Sequence, residues 1–306
     1  MSKVVVVRYS GDGTKKGLSR QAYGVLLTVG MRALSGEKEA KAAVRKYIPS
    51  GVIGMKTNCL VRKSNSTPTA LAEALSDLLI EAGFDKNDIV IWERTNRELK
   101  NAGYVLNAAS FGGRCLGTDT NGVGYSSRFY SSGEVNSLVS RILTDMVDYN
   151  VNLPVLKDHS IAGLSGGMKN MYGAIHNPNK YHDNNCDPFC AHVNNLAPIK
   201  EKNRLIILDA VKVQYNGGPG YVSEYVTYYN GVLLSDDPVA VDRVGLEILE
   251  HLRKANSLPP LEKVGRQVKY LRSAQQIGLG VADMQQIDVD VLLVDKDGRQ
   301  TVGELF

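Results

Sequence analysis

Short β-branched runs alternate along this chain with longer stretches in which apolar residues return every three to four positions. Side chains repeat every two residues on a strand and about every 3.6 on a helix, so the first kind predicts buried strands and the second amphipathic helices. Strands are predicted over 4–7, 52–56, 89–92, 151–156, 205–208, 232–234 and 289–294, and helices over 19–34, 68–82, 238–254 and 268–277. Two helix starts carry local punctuation. Thr67 precedes Pro68 and Asp237 precedes Pro238, so each polar residue is expected to cap the free amides of a helix whose first position is proline. Strands alternating with helices of this length predict an α/β fold, with two α/β halves of largely parallel sheets flanked by helices around a central cleft. The expected division is an N-terminal half, 1–145, and a C-terminal half, 146–306, with one continuous domain as the alternative.

Composition narrows the class. With 306 residues, 43% hydrophobic and 22% charged, a substantial core is available. The formal charge of +4 is spread among interleaved acids and bases, with no basic stripe for a nucleic acid, and it suits a small anionic substrate better. No apolar run approaches the ~20 residues of a membrane span. The opening run Val4–Val7 is too short for a signal-peptide core. Four cysteines in a chain of this size make no disulfide framework, so reduced thiols and a cytoplasmic location are expected.

Candidate chemistry gathers in one segment. Four of the five histidines, His159, His176, His182 and His192, lie between 159 and 192 together with Cys186 and Cys190. Imidazole and thiolate are common transition-metal ligands, so His182, Cys186 and Cys190, with His176, are candidates for a divalent ion (Ni, Zn or Fe) or an iron–sulfur cluster. The spacing is neither a zinc ribbon nor a common cluster motif. Upstream, an apolar run ends in Lys157-Asp158-His159, followed by a turn containing Gly163, Gly166 and Gly167 and then by Lys169. Polar groups at strand carboxyl ends are where open α/β folds bind ligands. The glycines would let amides approach an anion, and Lys169 would meet a phosphate or carboxylate or, with a lowered pKa, act as a nucleophile. The turn matches neither the P-loop nor the dinucleotide fingerprint. Lys56 and Asn58 end another predicted strand, Glu93 and Arg94 a third, and Asp209 a fourth, while Gly217–Gly220 looks like a flexible turn.

Several of these segments resemble the DUF362 family, an uncharacterised prokaryotic group. They are Lys56-Thr-Asn, Ser66-Thr-Pro, Asn152-Leu-Pro-Val-Leu-Lys-Asp-His, Gly173-Ala-Ile-His-Asn-Pro, Tyr181-His-Asp-Asn-Asn-Cys-Asp-Pro and Asp237-Pro-Val-Ala-Val-Asp. Members of that family often carry a twin-arginine signal or a fused ferredoxin domain. The resemblance without either implies no periplasmic location and no built-in electron-transfer clusters. The stretch His159-Ser-Ile-Ala-Gly-Leu-Ser-Gly-Gly-Met-Lys169 also resembles the nickel-pincer lactate racemase family. That second resemblance implies a cofactor carried on Lys169, His159 as a base, and His176 or His182 as a later metal ligand. Thr67 directly before Pro68, and Trp92-Glu-Arg-Thr95 in place of a Gly-Thr-His-Arg motif, depart from the racemase pattern, so two-base racemisation is not expected.

The expectation is therefore a metal- or organometallic-cofactor-dependent enzyme with isomerase- or lyase-like acid–base chemistry on a small polar or anionic substrate. His159, Lys157 and Lys169 would be catalytic, and Lys169, Gly166, Gly167, Lys56 and Asn58 would hold the cofactor. The alternatives are a non-catalytic metal or iron–sulfur protein and a phosphate- or nucleotide-binding module.

Overall fold

The computed structural model describes residues 1–10 and 17–306. In chain order the strands are β1 (Ser2–Tyr9), β2 (Ile53–Thr57), β3 (Ile89–Glu93), β4 (Arg114–Gly117), β5 (Tyr130–Ser132), β6 (Val135–Ser137), β7 (Tyr149–Leu153), β8 (Val155–His159), β9 (Gly163–Ser165), β10 (Asn203–Gln214), β11 (Val226–Ser235), β12 (Ile287–Val294) and β13 (Gln300–Val302). The helices are α1 (Arg20–Ser35), α2 (Ala40–Tyr47), α3 (Thr69–Glu81), α4 (Asn96–Ala102), α5 (Gly167–Asn170), α6 (Phe189–Asn194), α7 (Ala197–Lys202), α8 (Pro238–Ala255) and α9 (Tyr270–Gln276).

Among the described residues, eleven strands form one sheet in the order β13-β12-β1-β11-β10-β7-β2-β3-β4, with β8 paired to β10 and β9 to β8. The pairs β1–β12, β7–β10, β8–β10, β2–β7, β2–β3 and β3–β4 are parallel. The protein is thus α/β with a mostly parallel central sheet flanked by helices. A strand in such a sheet is covered on both faces and reads as a continuous apolar run. Val4–Val7 illustrates this. Val5 and Val7 pack with Tyr23 and Leu27 of α1 and Leu75 of α3, while Val4 and Val6 pack with Val241, Val244 and Ile248 of α8 on the other face. A third cluster, around Trp92, Met168, Cys186, Cys190 and Tyr270, lies beneath the histidine-rich segment.

Two local expectations change, and a third holds. The predicted strand 151–156 is broken at Pro154, which has no N–H for a ladder, into β7 and β8. Thr67 does not cap α3. Its hydroxyl accepts from the Asn58 amide at 2.8 Å and donates to the Leu153 carbonyl at 2.6 Å, and Pro68 takes the cap position. Asp237 caps α8, accepting from the amides of Val239 and Ala240 at 2.8 and 2.9 Å, and also holds the Val281 amide at 2.9 Å. The common direction of β2, β3 and β8 brings their carboxyl ends to one edge of the sheet. Among the described residues no helix is long and apolar enough to cross a membrane.

Candidate functional site

At that edge lies a cavity of about 260 Å³. β2 contributes Lys56 and, just beyond it, Asn58; β3 contributes Glu93; β8 contributes Lys157 and His159. Alternation along β8 sends residues 157 and 159 to the cavity and Asp158 to the opposite face, where Asp158 is bound by Arg266 at 2.7 and 2.8 Å. The short helix α5 adds Lys169 and Asn170, and the following segment adds Tyr172 and His182.

The cations here are of two kinds. Lys56 is buried but paired, with Nζ 2.6 Å from Glu93 Oε1. Lys157, 1% exposed, donates among the described residues to neutral groups, the Asn58 side-chain carbonyl and the Asn65 backbone carbonyl, each at 2.8 Å. Burial without a counter-ion disfavours the charged form, and Lys157 is lowered to about 7. Lys169, 8% exposed, lies with Nζ 3.0 Å from His182 Nε2 and 3.7 Å from the centre of the Tyr172 ring. Its pKa is also lowered by burial.

The hydrogen bonds fix the histidine tautomers. His159 Nδ1 accepts from the amides of Ile161 and Ala162 at 3.2 and 3.1 Å, so the ring proton sits on Nε2. Burial, then the charges of Lys169, His182 and Lys157, lower its pKa to about 3, and the ring is neutral at physiological pH. His182 Nδ1 faces the Pro178 carbonyl at 3.1 Å and must donate to it. That leaves the Nε2 lone pair toward Lys169. Burial, followed by the Lys169 charge, lowers the His182 pKa. The two imidazoles stack with centres 6.0 Å apart.

Other residues singled out in the sequence lie elsewhere. His176 is exposed and packs edge-on against Tyr125, with centres 5.1 Å apart. Cys186 and Cys190 are fully buried in the apolar cluster under the site, and burial raises both thiols. Cys186 Sγ meets the His182 carbonyl at 3.9 Å rather than its ring. Among the described residues no three His, Cys, Asp or Glu side chains converge as a metal site.

Gly166 and Gly167 form a turn turned away from the cavity. The amides of Gly167 and Met168 donate to the buried carboxylate of Asp242 on α8, at 2.5 and 3.0 Å. A Cβ on Gly166 would stand 2.4 Å from Asp242 Oδ1. The amides expected to cradle an anion already hold a carboxylate of this chain. Gly217–Gly220 is tied down rather than free, with the Gly218 amide on Asp158 Oδ2 at 2.9 Å and the Ser160 amide on the Gly218 carbonyl at 2.9 Å, and it presents Pro219 to the cavity. Cys59 lies behind the site, its amide 2.9 Å from Glu93 Oε2.

Sequence reasoning passed over Asn170, Tyr172 and Asp242. Asn170 links the site's walls, accepting from Asn58 Nδ2 at 3.1 Å and donating to Asn152 Oδ1 at 2.7 Å. Asn152 in turn donates to the Gly167 carbonyl at 2.7 Å. The available signal was polarity inside apolar runs, since a buried amide or carboxylate needs partners.

A family profile described as "Domain of unknown function (DUF362)" matches residues 53–247. Among solved structures, a crystal structure of a protein from Thermotoga maritima matches with 12% identity and a TM-score of 0.36, over 72% of this chain and 58% of that one. The chain thus spans little more than half the length of that structure. Among curated proteins none matches the chain.

Proposed function

Because the chain belongs to the DUF362 family, whose description assigns no activity, we propose a function from the cavity itself: it binds a small anionic molecule and moves a proton on it. The observation that carries this is the pair Lys157 and Lys169. Both are buried on one small cavity, and among the described residues neither has a carboxylate within ion-pair distance. A buried ammonium without a partner is costly, so an entering carboxylate or phosphate supplies what the fold leaves out. The anion rests on Lys157, which Asn58 and the Asn65 carbonyl aim. His159 presents a neutral Nε2–H to an oxygen that gains charge during reaction, a donor role. The lone pair on His182 Nε2, directly or through Lys169, receives the proton. This gives the acid–base chemistry to His159, Lys169 and His182 without a metal ligand set.

Calorimetric titration with small carboxylates and phosphate monoesters tests this reading. At least one is expected to bind, with affinity lost in Lys157→Met and retained in Lys46→Met, a lysine outside the cavity. Equal binding by wild type and a Lys157→Met/Lys169→Met double variant would overturn it.

A further inference from the structure

Lys169 is placed as a nucleophile as well as a cation. We propose that Lys169 forms an imine with the carbonyl group of a small oxo acid, whose carboxylate is held by Lys157; this rests on the anion-binding reading above and narrows it to a substrate class.

Three features of the geometry point to it. Lys169 Nζ lines the cavity and contacts no carboxylate among the described residues, so nothing there fixes it as a permanent ammonium. Its polar neighbour is the unprotonated face of a neutral imidazole at 3.0 Å, and the Nδ1–H···Pro178 bond of that ring holds the lone pair in place. Its other neighbour is the face of Tyr172, which keeps water from Nζ; the Tyr172 hydroxyl is turned away, donating to the Tyr181 carbonyl at 2.8 Å. The lowered pKa of Lys169 accords with this environment. A second cation is also required, because a cavity that only bound carbonyls would have no use for Lys157. A molecule bearing a carbonyl beside a carboxylate uses both lysines, and His159 Nε2–H can meet the carbonyl oxygen.

The step balances without an oxidant or reductant. The Lys169 lone pair adds to the carbonyl carbon, forming a C–N bond, while the C=O π electrons move to oxygen next to His159. One proton leaves nitrogen through His182 Nε2 and reaches that oxygen, giving the neutral carbinolamine. The nitrogen lone pair then forms C=N as the C–O bond breaks. The hydroxyl departs as water, carrying the second nitrogen hydrogen.

The experiment is reductive trapping of the full chain. Protein is incubated with pyruvate or glyoxylate and sodium borohydride, with acetaldehyde as the uncharged comparison, and mapped by peptide mass spectrometry. The expected result is an adduct confined to Lys169, with a mass gain equal to the oxo acid less one oxygen atom. It should be lost in Lys169→Arg, with circular dichroism expected to match the wild type. Lys157→Met is expected to lose the oxo-acid adduct and keep the acetaldehyde adduct, which distinguishes loss of the anchor from loss of the fold. Adducts spread over exposed lysines, or an adduct surviving in Lys169→Arg, would overturn the imine. Calorimetric binding of the oxo acid at the cavity without an adduct overturns the imine alone. Absence of binding by every anion tried overturns the reading beneath it as well.

Discussion

The Lys157 ammonium sits among neutral oxygens, and that placement has a measurable cost. Its pKa is about 7 in the folded chain against about 10.4 for an unfolded lysine. Between these values the unfolded chain binds more protons, so the contribution of Lys157 to stability rises with pH from about 7 to about 10. Below that window both forms are protonated, and the folded chain bears the full cost of a buried charge. Lys157→Met is therefore expected to raise the melting temperature at pH 7 and to flatten the rise between pH 7 and 10, followed by thermal denaturation at several pH values. A bound anion should flatten it in the wild type too. His159 predicts differently. Its neutral ring donates rather than holding charge, so His159→Phe should lower turnover of a bound substrate by roughly 10²-fold or more with little change in Kd. If Kd weakens as much as turnover, His159 is a binding group instead. Lysines and a histidine at a strand end were visible in the sequence because an apolar run stopped there. The directions of the rings and thiols were not. Scarcity groups His159, His176, His182, Cys186 and Cys190, but packing turns two rings to the cavity, one to solvent and both thiols into the core.

The glycine turn and α8 form one device at the scale of elements. Asp242 lies on the core side of α8 and holds two amides of the α5 turn, which carries Lys169 to the cavity. Asp242→Ala leaves both donors buried without partners, at a cost of about 2 kcal/mol or more. Urea denaturation should show this loss, and anion affinity should fall because Lys169 is no longer held in place. Gly166→Ala tests the same contact from the other side, since its Cβ would meet Asp242 Oδ1 at 2.4 Å. Wild-type stability with weakened binding in both variants would refute the clasp as a structural element. Helix periodicity over 238–254 made α8 legible, and so did the Asp237 cap. The Asp242 carboxylate within that apolar stripe implied a partner, yet a partner 75 residues away in sequence is set by tertiary packing and not by spacing. The break at Pro154 is a contrasting case: the proline stood in plain view within 151–156, and its missing N–H is the reason one predicted strand became two.

The chain's two ends meet in one sheet, and this governs how the whole molecule should unfold. β1 pairs along its length with β12, Ser2 to Ile287 through Tyr9 to Val294, and it is also paired to β11. Strands from before and after residue 145 are interleaved, since β1 lies between β12 and β11. Local hydrophobic pattern could predict each strand, but strand order depends on contacts between residues hundreds of positions apart, which no window of sequence contains. Because removing either half strips the other of sheet neighbours, β1 from β11 and β12 and β2 from β7, we expect one cooperative transition. Trp92, the single tryptophan, is fully buried at the end of β3 and donates to Asn150 Oδ1 of β7 at 2.9 Å. Its fluorescence reports the site-bearing side of the sheet, while far-ultraviolet circular dichroism averages over every element. Coincident urea transitions by the two probes are the expected outcome. A fluorescence transition clearly separated from the dichroism would mean that 1–145 and 146–306 unfold as independent units in spite of the shared sheet, and that anion binding at the β2, β3 and β8 ends stabilises only part of the chain. Under the single-transition outcome, a saturating anion shifts both curves together, by the amount that its concentration and Kd dictate.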